Sequence, residues 1–116
     1  MDWKPITLDQ LEGLIADELA ECSEEQRSFF ARTRFAPSKW RQSPRGDMGG
    51  GFWAVATMGD RVLWFNDIEE GFNVSQFSVW GKIPADQYWC NQDPLKFALP
   101  SLAGADGGKF GPPRGM

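Results

Sequence analysis

Apolar residues recur at helical spacing near the start of the chain and at alternating spacing in its middle. Leu8, Leu11, Leu14, Ile15, Leu19 and Cys22 fall on one side of a helix, while Asp9, Glu12, Asp17, Glu18 and Glu21 fall largely on the other. Thr7 and Gln10 have capping-box spacing and Ile6 and Leu11 that of a hydrophobic staple, so this helix is expected to start after Thr7. Gly13 weakens its middle. Ser23 and Gln26 repeat the box and predict a second helix over Glu24–Arg34. Glu24 and Glu25 in its first turn and Arg32 and Arg34 in its last suit the helix dipole, and Phe29 and Phe30 face the core.

The pattern is lost between Ala36 and Gly51. Pro37, Pro44 and the glycines at 46, 49, 50 and 51 predict a long irregular connection. Phe52–Asp67 then reads as a β-hairpin whose loop, Gly59-Asp60, has the chemistry of a type II′ turn. That turn implies a register in which Thr57 faces Val62, Ala56 Leu63, Val55 Trp64, Ala54 Phe65 and Trp53 Asn66. Phe52, Ala54, Ala56, Leu63 and Phe65 would then share one face, and Trp53, Val55, Thr57, Val62, Trp64 and Asn66 the other. Both faces are apolar, so the helices are expected on the first, and the Trp face is left to be covered or to bind.

Phe72–Trp80 reads as a third strand with a bulge near Gln76, and Gln87–Cys90 as a short fourth. Asp93 as N-cap and Pro94 as N1 open a last short helix, expected to end at Pro100. The Gly/Pro-rich residues 103–116 are expected to form a flexible tail. The sum is one α+β domain over residues 1–102, with two N-terminal helices packed on a 3–4 stranded antiparallel meander and a short C-terminal helix.

Composition narrows the chemistry. An apolar share of 41%, with six Trp and nine Phe, excludes wholesale disorder. No apolar run approaches the roughly 20 residues needed to cross a bilayer. The opening Met1-Asp2-Trp3-Lys4-Pro5 lacks the order of a secretory signal, so a cytoplasmic protein is expected, with no membrane partner. Cys22 and Cys90 form no CxxC pair and are expected as buried free thiols. The chain has no histidine, which removes the commonest general base, the Ser–His and Cys–His pairs and nearly every zinc or iron site. Gly46–Gly51 precedes a strand and lacks a following Lys-Ser/Thr, unlike a phosphate loop. No motif assigns a catalytic, cofactor or metal residue, and the reading leans away from an enzyme.

Charge is segregated. Residues 1–25 hold eight acids and one base, and residues 26–46 six bases and no acid; the chain as a whole carries −4. The basic 27–45 segment interleaves cations with aromatics. Arg34, Lys39, Trp40, Arg41 and Arg45 are its candidate contacts to a phosphate-bearing ligand or nucleic acid. Neutralisation by the adjacent acidic helix is the simpler reading, and the net charge argues against nucleic acid as a partner. A second cluster, Asp67, Glu69 and Glu70, lies at a strand end beside Asn66 and Asn73. Paired carboxylates there would suit a small hydrolase or a hard cation, but EF-hand spacing is absent, and a solvated turn is the plainer account.

The aromatics Trp53, Trp64, Trp80 and Trp89 remain. Core is the default for such residues, yet aromatics beside charges also anchor interfaces. The leading expectation is therefore a non-catalytic interaction or regulatory protein, using Trp53, Trp64, Trp80, Asp67, Glu69 and Glu70 against another, basic, protein. A homodimer through uncovered hairpin edges is a second route. In size, charge and tryptophan content the chain resembles the small, acidic, stand-alone partner-binding proteins of bacteria, immunity proteins of toxin systems among them; that likeness transfers no residues.

Overall fold

Both capping boxes form. Thr7 Oγ1 accepts from Gln10 N at 3.1 Å while Gln10 Oε1 accepts from Thr7 N at 3.0 Å, and Ser23 and Gln26 repeat the exchange at 3.0 Å each way. They open α1 (Leu8–Leu19) and α2 (Glu24–Thr33). The computed structural model describes residues 3–104, so most of the expected tail lies outside the described residues. Arg27 closes α1 from the next helix, its Nη1 donating to Leu19 O and Cys22 O. That places a cation at the negative end of the α1 dipole.

Where an irregular connection was expected from Ala36, the chain passes straight from α2 into a strand, β1 (Arg34–Trp40). β2 (Phe52–Met58), β3 (Arg61–Asn66) and β4 (Gly71–Gln76) follow, and the four form an antiparallel meander in chain order. β1 is an edge strand, which is how it accommodates Pro37. Pro37 lies where the β1–β2 register slips, between the pairs Arg34–Ala56 and Ser38–Ala54. The irregular stretch is therefore shorter than expected, from Arg41 to Gly51, and contains a 3-10 turn at Asp47–Gly49.

The hairpin turn is as expected. Met58 pairs with Arg61 across a two-residue loop, and Gly59 has φ +59 while Asp60 stays at negative φ, as a type II′ turn requires. The first pairs, Thr57–Val62 and Ala56–Leu63, also agree. Beyond them the expected register fails, because Val55 is an extra residue. Ala54 pairs with Trp64 and Trp53 with Phe65. Since side chains alternate with period two, one inserted residue moves everything beyond it to the opposite face. Trp53 thereby joins the helix side, and Phe52 and Ala54 join Trp64.

Each face of the sheet supports its own core. On the helix side Leu11, Ile15, Phe29, Phe30, Val55, Ala56, Leu63, Phe65 and Phe72 pack with Leu95, Ala98, Leu99 and Leu102 of α3 (Leu95–Ala103). α3 touches α1, α2, β2, β3 and β4, and so forms the middle of the helix layer. On the opposite side Trp40, Phe52, Ala54, Val62, Trp64 and Ile83 are buried, with Phe35, Phe77 and Tyr88 packed against them. Residues 77–93 supply this second cover. In place of the expected fourth strand they contain a 3-10 turn, Ala85–Gln87, and β4 stops at Gln76, short of Trp80.

Side chains attach that cover to the sheet. Asn66 Nδ2 donates to Tyr88 Oη and Trp89 O, both at 3.0 Å. Asn73 exchanges hydrogen bonds with the backbone of Asn91, and Ser75 Oγ accepts from Trp64 Nε1 while donating to Gln87 O. These buried polar groups sit among aromatic rings, and each has found a partner, as burial demands.

α3 continues past the proline expected to end it. Pro100 has no N–H for the carbonyl of Lys96, and Gln26 Nε2 donates to that carbonyl instead, at 2.9 Å. The expected N-cap Asp93 is also replaced: Glu18 of α1 reaches across and accepts from Leu95 N at 2.7 Å. Burial pushes the Glu18 carboxyl above its ordinary pKa, with that amide hydrogen bond opposing the shift. Among the described residues no helix is long and apolar enough to cross a membrane.

Candidate functional site

The acidic loop divides into a structural Asp67, a half-buried Glu69 and an exposed Glu70. Asp67 is buried: its Oδ2 accepts from Ile6 N at 2.8 Å and its carbonyl from Trp3 Nε1 at 3.1 Å. Trp53 adds a third tie, Nε1 donating to Ile6 O at 3.1 Å. Asp67 and Trp53 together hold residues 3–6 against the sheet. Burial raises the Asp67 carboxyl above its usual range, with the Ile6 amide and the charge of Lys39 pulling the other way. Asn66 Oδ1 accepts from Ile68 N and Glu69 N, which closes the turn, and Glu70 completes it at φ +60.

Asp67 and Glu70 also line an open cleft of about 450 Å3 with Trp3, Ile6, Leu14 and Phe65. Glu69 is not among its lining residues, and Asp67 is engaged by the N-terminal segment. The Asp67–Glu69 pair invoked for carboxylate chemistry is thus not brought together in a cleft. Trp64 is wholly buried beneath Tyr88, and Trp53 is half-buried on the helix side.

Most of the basic segment is engaged inside the molecule. Arg34 lies over the Phe30 ring and 3.7 Å from Glu12. Lys39 Nζ donates to Gly49 O at 2.8 Å and sits over the Trp53 ring. Arg45 lies over Tyr88, Arg32 over Phe29, and Trp40 is buried. Arg41 differs: it is exposed and has neither an ion pair nor a side-chain hydrogen bond among the described residues.

Arg41 is not isolated. Its N–H donates to Gly81 O at 2.9 Å and its carbonyl accepts from Ile83 N at 2.8 Å, so Arg41 and Lys82 form a parallel bridge. Lys82 is exposed and likewise without a side-chain partner among the described residues. Both cations line a half-open cleft of about 530 Å3 with Ser43, Ser78, Val79, Ile83 and Pro84.

Next to the cleft stands an aromatic ridge. Trp80 is 62% exposed and Val79 60%. The Trp80 ring is nevertheless held in place, with its centroid 5.3 Å from Phe35, 5.0 Å from Trp40 and 6.0 Å from Phe77. Of the candidates taken from the sequence, Trp80 stands on the ridge and Arg41 lines the cleft, with Val79, the chain neighbour of Trp80, at the cleft wall. Lys82, Val79 and Ser78 complete the cleft and were missed; the sole local sign was Val79-Trp80, two adjacent apolar residues before a glycine, which cannot both enter one face of a strand. Cys22 is buried as expected, whereas Cys90 is exposed.

No family model matches the chain, and no curated protein or solved structure matches it either.

Proposed function

We propose that the chain is a non-catalytic binding protein whose partner surface is the ridge formed by Phe35, Phe77, Val79 and Trp80. The observation that carries this reading is Trp80, a large aromatic left mostly in solvent yet fixed by three neighbouring rings. A pre-positioned indole loses little conformational freedom on binding, and tryptophans are the side chains most enriched among residues whose removal costs an interface about 2 kcal/mol or more. Val79 extends the apolar surface, and apolar residues grouped on the outside mark partner sites more than scattered ones do. The expected basic partner, drawn from the acidic loop, loses support because Asp67 is spent on the N-terminal segment.

Affinity capture from the native lysate with wild-type, Trp80→Ser and Val79→Glu proteins tests the reading. Proteins retained by the wild type are expected to be lost from both variants, with circular dichroism unchanged. Val79 is needed as a second site because Trp80 also covers part of Trp40. Identical retention by all three proteins would remove the ridge as the partner surface.

A further inference from the structure

The backbone of the Arg41–Lys82 bridge is held by two hydrogen bonds, but its two cationic side chains have no partner that the fold supplies among the described residues. Partners in a β-bridge place their side chains on the same side, and adjacent strands lie about 4.8 Å apart. Like charges so placed repel, and an intramolecular acid would ordinarily be stationed to relieve them. None is paired with either cation among the described residues. Ser43, at the rim, is already committed to Asp47, donating from Oγ to Oδ1 at 2.6 Å. The two cations face a cleft walled by Val79 and Pro84. The chemistry presented is a pair of charge-assisted donors beside an aliphatic wall.

We propose that this cleft receives an acidic segment of the partner protein, an aliphatic side chain lying on Val79 and Pro84 and a carboxylate held between Arg41 and Lys82. The inference rests on reading the adjoining ridge as the partner surface, and it gives that partner a charge. A nucleic acid is the poorer fit. Of the cations in residues 26–46, Arg27, Arg32, Arg34, Lys39 and Arg45 are engaged within the molecule, so that segment contributes Arg41 alone beside Lys82 and offers no row that could follow a phosphate backbone. One carboxylate matches two donors, and the aliphatic wall asks for a neighbouring apolar side chain that a sugar–phosphate chain does not have.

The test is a titration of the full 15N-labelled chain followed by backbone amide shifts. The probes are a blocked hexapeptide Gly-Leu-Asp-Glu-Leu-Gly, its Asn-Gln counterpart, and inorganic phosphate. The acidic peptide is expected to give saturable shifts confined to residues 41–43 and 78–85. The amide peptide should bind at least about tenfold more weakly, and Arg41→Gln and Lys82→Gln should each weaken the acidic peptide by about threefold to tenfold, the range for exposed charge-assisted contacts. Shifts elsewhere, equal affinity for the two peptides, or indifference to both substitutions would overturn the proposal. So would saturation of the same amides by phosphate with no response to peptide, which would make the cleft a small-anion site. If the peptides fail while Val79→Glu still abolishes capture of the native partner, the acidic-segment inference falls and the ridge stands. If capture ignores the ridge variants, both fall.

Discussion

The amide of Gln26 is shared between two helices, its Oε1 accepting from Ser23 N at 3.0 Å and its Nε2 donating to Lys96 O at 2.9 Å. The first bond closes the capping box of α2, and the second satisfies the carbonyl that Pro100 leaves without an intrahelical donor. Glutamate is as good a capping-box residue as glutamine in general, but here it would keep the first bond and lose the second. Gln26→Glu is therefore expected to destabilise the protein by about 1 kcal/mol, the usual net value of one hydrogen bond, and Gln26→Ala by about 1–2 kcal/mol. Urea unfolding midpoints at neutral pH check this. A Gln26→Glu protein as stable as the wild type would mean that water serves Lys96 O equally well.

Glycines separate local conformation from steric room at the level of the elements. Gly13 lies in the exposed middle of α1, and a Cβ built there meets nothing within 4 Å. Gly13→Ala is expected to stabilise by about 0.5–1 kcal/mol through helix propensity alone. Gly59 has equal room but φ +59, so Gly59→Ala is expected to cost about 1–3 kcal/mol by backbone strain. Opposite shifts in melting temperature are the readout, and shifts of the same sign would refute the account. Both positions were legible in the sequence, as were the capping boxes and the hairpin turn, because each is decided by residues at most four apart. The Val55 bulge was not. Phe52 to Val55 are all apolar, so either phase of the strand buries them, and the choice falls to packing with distant residues. β1 was hidden for a related reason: Pro37 and Ser38 suppress the local strand signal, and pairing with β2 overrides it. The site follows the same rule. Trp80 and Arg41 stood out by type, while Lys82 gains its meaning only from a bridge to a residue far away in the chain.

Across the whole molecule the sheet is covered twice, by helices on one face and by residues 77–93 on the other, and two carboxylates, the half-buried Glu18 and the buried Asp67, help close the helix side. Glu18 ties α1 to α3, and Asp67 ties residues 3–6 to the end of β3. Both have folded-state pKa values raised above the ordinary carboxyl range, mainly by burial. A carboxyl with a higher pKa in the folded state holds more protons folded than unfolded in the window between the two values. Its contribution to stability is then greatest below the unfolded pKa and is lost as pH rises through the folded one, the reverse of a salt-bridged aspartate. Glu18→Gln with Asp67→Asn keeps an oxygen acceptor for Leu95 N and Ile6 N but removes both titrations. The stability of the wild type relative to this double variant is expected to fall as pH is raised from about 3.5 to 7, measured by urea unfolding at each pH. Comparing the two proteins cancels the other carboxylates to first order, since the substitutions leave them in place. A gap that widens in favour of the wild type with rising pH would show that the amide hydrogen bonds and Lys39 outweigh desolvation at these positions, and that the two ties are strongest when charged.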